Sequence, residues 1–185
     1  MVRCRWADPD SEIYLAYHDQ EWGRPEHDDQ KLFEMLILEG FQAGLSWLTI
    51  LKKREAFRAA FDRFEPAVVA GYDPEKVEAL MADARIVRNR AKILAAIQNA
   101  KAFLAIREDF GSFDRYLWGF TDGKVILNMD DVFHTSTELS DRISKDLKRR
   151  GMKFVGTTII YSFLQAVGVV NDHELACFCH PSHLA

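Results

Sequence analysis

The sequence predicts an all-α protein. Apolar residues recur at three- and four-residue spacing along most of the chain, the breaks between these stretches carry helix-start and helix-stop residues, and only one short run has strand character. Asp28-Asp29 caps a helix through Leu32-Phe33-Glu34-Met35-Leu36-Ile37-Leu38-Glu39 that ends near Gly40 or Gly44. Ser46 to Phe61 reads as one or two amphipathic helices. Pro66 and Pro74 suit first helical turns and open helices over 66–70 and 74–82. Ile93, Ile97, Ala100 and Leu104 mark a long helix within 87–107, and Phe113 to Phe120 a short one. Lys124-Val125-Ile126-Leu127 reads as an isolated strand at most. Ser140 to Arg150 is helical and stops at Gly151; a further helix runs from about Val155 to Val167; Val170 to Cys179 holds a last turn or short helix.

With 185 residues, 48% of them hydrophobic and 28% charged, the chain can bury a sizeable core. It is expected to form a single domain over residues 1–185, with no repeat or linker. Three cysteines (Cys4, Cys177, Cys179) are too few for a disulfide framework. The opening residues carry no apolar run, and stretches such as Met35–Leu38 fall far short of a membrane span. The expectation is a soluble, cytoplasmic protein with no membrane partner.

The formal net charge of −4 hides an asymmetry. Residues 1–50 hold ten acids against four bases, a net of −6. Residues 142–153 hold Arg142, Lys145, Lys148, Arg149, Arg150 and Lys153 against Asp146, a net of +5. Arg85, Arg88, Arg90 and Lys92 form a second basic group. Such clusters are either phosphate footprints or solvated helix faces.

Three constellations carry chemistry. The first is the tight connection Lys148-Arg149-Arg150-Gly151-Met152-Lys153-Phe154-Val155-Gly156-Thr157-Thr158. Gly151 permits a left-handed turn, Gly156 lets a ligand approach the backbone, and Thr157 and Thr158 open a helix whose free amides suit a phosphate. An ordinary helix–turn–helix with a glycine cap is the competing reading. The second is a candidate metal set, Cys4 and His18 with His173 and Cys177, the last two sharing a helix face if helical. The spacing is not that of a zinc finger, Cys179 and His180 are rival ligands, and a buried cysteine beside surface histidines is the alternative. The third is Glu39, on the stripe of Leu32, Leu36 and Ala43, where a carboxylate needs a partner, a proton or a cavity. Trp6, Tyr14, Tyr17, Trp22 and Trp47 are ordinary core aromatics, or, with a buried acid, the walls of a site for a flat cation.

These residues together resemble the 3-methyladenine DNA glycosylase I family of bacterial alkylation-repair enzymes over nearly the whole chain. The resemblance rests on Arg3-Cys4-Arg5-Trp6, Tyr17-His18-Asp19-Gln20-Glu21-Trp22-Gly23, Leu38-Glu39-Gly40-Phe41-Gln42-Ala43-Gly44-Leu45-Ser46-Trp47, Lys52-Lys53-Arg54, Lys153-Phe154-Val155-Gly156-Thr157-Thr158 and Val170-Asn171-Asp172-His173. It implies a helix-hairpin-helix glycosylase fold, with the hairpin at about 140–169 as DNA-backbone anchor through Gly151, Lys153, Gly156, Thr157 and Thr158. It implies one structural Zn²⁺ on Cys4, His18, His173 and Cys177, joining the two ends of the chain. Glu39, Tyr17 and Trp47 become the catalytic and base-pocket residues, Trp6 and Trp22 further walls, and Leu45 the plug that fills the gap left by an extruded nucleotide. The implied partner is double-stranded DNA containing 3-methyladenine, met by a monomer that hydrolyses the glycosidic bond without lyase activity.

Two departures qualify the resemblance. Phe41 stands where a polar residue is expected and implies an altered pocket rim. Asn171 takes the place of the superfamily's usual catalytic Asp, with Asp172 one residue later, so no catalytic acid is assigned. A non-catalytic binder of damaged or abasic DNA is the alternative, and a glycosylase for a bulkier adduct, governed by Phe41, a third reading.

Overall fold

The computed structural model describes residues 1–127, 129 and 132–183. Nine α-helices are found among them: α1 Glu12–Gln20, α2 Asp29–Gln42, α3 Trp47–Ala60, α4 Pro66–Ala70, α5 Pro74–Ala82, α6 Arg90–Phe110, α7 Phe113–Trp118, α8 Glu138–Arg149 and α9 Thr157–Ala166. Local chemistry sets most boundaries. The side chains of Asp28, Ser46, Asp73, Asn89 and Ser112 each accept a hydrogen bond from an amide in the first turn of the helix they precede. Thr137 and Ser140 form a reciprocal capping box on α8.

Three expectations need correction. The sequence reading begins its helices at Asp28, yet α1 precedes it. Ile126–Leu127 is not isolated: it pairs in parallel with Val170–Asn171, Ile126 opposite Val170. Residues 170–179 contribute that strand and turns, with no helix among them.

The core is one large cluster in which α2, α6 and α9 are central, filled by Phe33, Phe41, Phe57, Phe61, Phe103, Phe113 and Phe163. α2 packs on α3, α6, α7 and α9, and α8 packs on α9. A second, smaller cluster gathers Cys4, Tyr17, Trp22, Leu51, Cys177 and Cys179. It joins the first and last segments of the chain. The turn after α9 is stitched to the segment after α1: the Gly23 amide donates to Gln165 O at 2.9 Å and the Glu26 amide to Val167 O at 3.0 Å. Gly168 (φ +71°) makes this possible, because a Cβ there would stand 2.2 Å from the Arg24 carbonyl carbon. No helix among the described residues is long and apolar enough to cross a membrane.

Candidate active site and metal centre

α1, α2 and α3 converge on an open pocket of about 250 Å³. α1 supplies Tyr14 and Tyr17, α2 supplies Glu39 and Gln42, the first residue of α3 is Trp47, and the flanking loops bring Trp6 and Trp22. The rings form a continuous aromatic wall. Tyr17 and Trp47 have centroids 5.5 Å apart, Trp6 and Tyr14 5.1 Å, and Trp6 and Trp22 4.9 Å. The indole N–H groups of Trp6 and Trp47 are buried without an acceptor among the described residues. Every predicted base-pocket residue is therefore gathered here.

Glu39 is 3% exposed and makes no side-chain hydrogen bond or ion pair among the described residues. Desolvation pushes its carboxyl up to about 8. The same burial, followed by the nearby Glu39 charge, holds the Tyr17 phenol well above its ordinary range. A native fold leaves an acid unpaired in this way where a ligand completes it.

Sequence reasoning missed several lining groups. Ser162 and Gln165 come from α9, and His134 from the loop before α8. Asp172 also lines the pocket; Tyr161 Oη and Gln165 Nε2 donate to its Oδ2, while Oδ1 is buried without a partner among the described residues. No local pattern announces Ser162, Gln165 or His134, which meet only through the fold. Phe41 is a correction. It is 1% exposed and packs on Phe57 at 4.9 Å and Phe61 at 5.7 Å, deep in the core and away from the rim.

Beside the pocket lies a cluster of metal-ligating side chains. The donor atoms of His18, His173, Cys177 and Cys179, all buried, lie within 4.8 Å of one another. Three of these are predicted ligands, and the fourth is the rival Cys179. Cys4 sits at the edge: the Glu174 amide donates to its Sγ at 3.4 Å, and the Cys4 amide lies 3.3 Å from His18 Nε2.

The surroundings fit a cation. His18 Nδ1 donates to Asp19 Oδ1 at 2.8 Å, which leaves Nε2 turned to the cluster. Asp19 is itself gripped by Arg3, whose hydrogen bond lowers that carboxyl to about 2. His173 Nδ1 donates to Asn171 Oδ1 at 2.9 Å, and its Nε2 is buried with no hydrogen-bond partner among the described residues. Desolvation, then the neighbouring His18, lowers His173 to about 4 and keeps that lone pair free. Such outer partners orient metal-binding imidazoles. Asn171 thus positions a candidate metal ligand, and its amide also donates to Gly23 O at 3.2 Å. Gly23 is required here, since a Cβ would stand 2.8 Å from His173 Cε1.

Arg54 and Lys53 of the Lys52-Lys53-Arg54 motif are structural. Arg54 forms a two-pronged pair with Glu21 at 2.6 and 2.8 Å, tying α3 to the end of α1, and Lys53 Nζ donates to Arg85 O at 2.9 Å.

The hairpin between α8 and α9 is a tight turn. Gly151 takes φ +93°, Phe154 takes φ +53°, and Gly156 starts α9 with open space where a Cβ would lie. Lys148, Lys153 and Thr158 are exposed, while Thr157 Oγ1 is 2.8 Å from Ser140 Oγ and partly enclosed. Arg150 is committed elsewhere: it pairs with Asp146 at 2.8 Å and Asp109 at 3.0 Å, and lies over Phe110 and Tyr116. In the second basic group Arg85 pairs with Asp83, Arg90 with Glu78, and Lys92 is buried, so that cluster is largely neutralised. Leu45 stands exposed on the turn after α2.

A helical protein with an acid-floored aromatic pocket, a Cys/His cluster behind it and a basic hairpin defines a class that reads a flat, electron-poor ligand. The chain belongs to the methyladenine glycosylase family, whose model matches residues 6–180. It is 50% identical to DNA-3-methyladenine glycosylase 1 of Escherichia coli (strain K12), over 99% of this chain and 99% of that one. It is 46% identical to DNA-3-methyladenine glycosylase of Haemophilus influenzae (strain ATCC 51907 / DSM 11121 / KW20 / Rd), over 98% and 99%. A crystal structure of 3-methyladenine DNA glycosylase I superposes with a TM-score of 0.93 at 52% identity, covering 97% of this chain and 100% of the other. A variant of such an enzyme in complex with 3-methyladenine gives 0.91 at 38% identity, covering 99% and 98%.

Proposed function

We propose that this protein is a monofunctional DNA-repair glycosylase that excises 3-methyladenine from alkylated DNA, as its relatives' names state of them. The observation that carries the reading is Glu39, an unpaired buried acid on the floor of an aromatic pocket. Methylation at N3 makes the adenine ring cationic and weakens its bond to the sugar. Selective binding then does much of the catalysis, and no strong general acid is needed.

The target nucleotide is flipped out of the duplex. Leu45 enters the gap it leaves. Tyr17 and Trp47 stack on the cationic ring, a contact worth about 2 kcal/mol when desolvated. Glu39 accepts hydrogen bonds from the adenine edge, each worth roughly 1.5–3 kcal/mol to a charged group. Trp6 and Trp22 complete the walls. Water attacks C1′ of the oxocarbenium-like sugar, the phosphates help to stabilise that cation, and the products are free base and an abasic site with an unbroken strand. The α8–α9 hairpin is read as the helix-hairpin-helix anchor, with Gly151, Lys153, Gly156, Thr157 and Thr158 against the DNA backbone.

The metal is read as one structural Zn²⁺, which supplies folding free energy and no reaction step. Amide hydrogen bonds to sulfur favour the thiolate. Cys4 receives one from Glu174, Cys177 receives one at 3.4 Å from Cys179, and Cys179 receives none among the described residues. This supports Cys4 over Cys179 as the fourth ligand beside His18, His173 and Cys177. The chain is taken to act as one domain and as a monomer in the cytosol.

The test is chromatography of bases released from methylated duplex DNA. The parent should release 3-methyladenine, and Glu39→Gln, still folded, should bind the free base at least tenfold more weakly. Tight binding of abasic DNA with no base released would identify a non-catalytic binder instead.

A further inference from the structure

Lys92 is a lysine with 8% of its surface exposed and no acid beside it among the described residues. Its Nζ donates to the carbonyls of Phe41 at 2.8 Å and Ala43 at 2.6 Å. These are carbonyls at the C-terminal end of α2, where the helix has no further amides to offer them. Glu39 lies just before them. Just after them Gly44 (φ +80°) turns the chain and Leu45 stands out from the surface. Gln42 closes the same turn from inside, its Nε2 donating to Leu45 O at 2.7 Å and its carbonyl accepting from the Leu45 amide at 2.7 Å.

The same ammonium lies 6.0 Å from the ring of Phe154, in the hairpin. Two helical turns further along α6, Asn99 grips Lys153 both ways: Nδ2 donates to its carbonyl at 2.9 Å, and Oδ1 accepts from its amide at 2.8 Å. α6 therefore touches the plug turn at Lys92 and the hairpin at Asn99. A buried ammonium without an anion carries a desolvation cost, and the two orphaned carbonyls it caps offset that cost while fixing the end of α2.

We propose that Lys92 is a positioning residue for base extrusion, holding the Leu45 turn in register with the hairpin so that plug and backbone anchor engage the duplex as one rigid unit. The proposal rests on the glycosylase reading given above.

The experiment compares the parent with Lys92→Met, Lys92→Gln, Leu45→Ala and the double variant Lys92→Met with Leu45→Ala. Each is measured for melting temperature, binding of free 3-methyladenine, and excision from methylated duplex at limiting enzyme. Lys92→Met should keep its affinity for the free base within twofold and lose at least tenfold in duplex excision. Lys92→Gln, which still has donors, should recover part of that loss. The double variant should be no more than about twofold worse than Leu45→Ala. Proportional loss of free-base binding, unchanged duplex excision, or independent multiplication of the two losses would each overturn the proposal. If neither Lys92 variant folds, the lysine is a folding residue and the proposal falls. A parent that releases no base refutes the glycosylase reading itself, a result distinct from any behaviour of Lys92.

Discussion

A carboxyl group in the position of Glu39 holds its proton in the folded chain up to a pH of about 8, whereas its ordinary value is 4.5. Between those values the folded state binds the extra proton, so stability falls as pH rises; above pH 8 the full penalty is present. At roughly 1.4 kcal/mol per pK unit the penalty reaches several kcal/mol as an upper bound. Glu39→Gln removes the titration. Its urea midpoint should exceed the parent's by a margin that is small at pH 5 and grows toward pH 8. His173 and the tyrosines that share the pocket are common to both proteins and cancel in the difference. A constant margin across that range would mean that Glu39 is paired in solution. A cationic base reverses the sign of the penalty, because it rewards the ionised acid. Excision at limiting enzyme should therefore rise from pH 6 to pH 8 in the parent and lose that rise in Glu39→Gln.

At the scale of the element, the hairpin's charges divide by what they touch. Lys153 is exposed and carries no ion pair among the described residues, whereas Arg150 binds Asp146 and Asp109 and covers two rings. Lys153→Ala should weaken binding to every duplex alike and reduce the salt slope by about one phosphate. Arg150→Ala should leave the slope almost unchanged and lower the melting temperature by unpairing Asp146, which also accepts from Tyr116 Oη at 2.9 Å. Salt titrations of the two variants, read beside their melting curves, check the division. Charge runs in the sequence could not make this distinction, because the partner Asp109 lies 41 positions away. Helices with a proline or capping residue at the start and an apolar stripe were legible, as α4 and α5 are, each opened by its proline. α1 was not, because its buried residues Tyr17 and His18 face a pocket and a polar cluster, which leaves no apolar stripe. Phe41 was misplaced although its position was readable: two residues beyond Glu39 is about 200° around a helix, the opposite face. Asn171 and Asp172 acquire their roles only when the parallel pairing sets Val170–Asn171 beside Ile126–Leu127.

For the whole molecule, the Cys/His cluster, which could hold a metal ion, brings the beginning of the chain to its end. His18 lies on α1, and His173 and Cys177 follow the last strand. The pocket walls rest directly on these ligands: the Trp6 and His18 rings are 5.2 Å apart, and those of Trp22 and His173 4.6 Å apart. Desolvation raises the thiols of Cys4 and Cys179, the latter to about 11, and the rings of two buried histidines, His18 and His173, meet edge-on at 5.0 Å. A bound divalent ion offsets both costs, so its removal should be felt as lost folding free energy and as a collapsed pocket wall. The hairpin draws its support from α6 and α8 in the large core, away from the cluster. Stripping the metal with a strong chelator should thus lower the melting temperature by ten degrees or more and abolish binding of free 3-methyladenine. Salt-sensitive binding to plain duplex should survive at a temperature where the remaining core is folded. Cys4→Ala should reproduce the chelated state, and Cys179→Ala should retain about one zinc per chain. Metal analysis with the opposite result for the two cysteines would transfer the fourth ligand to Cys179, and a chelated protein that still binds the base would uncouple the metal from the pocket.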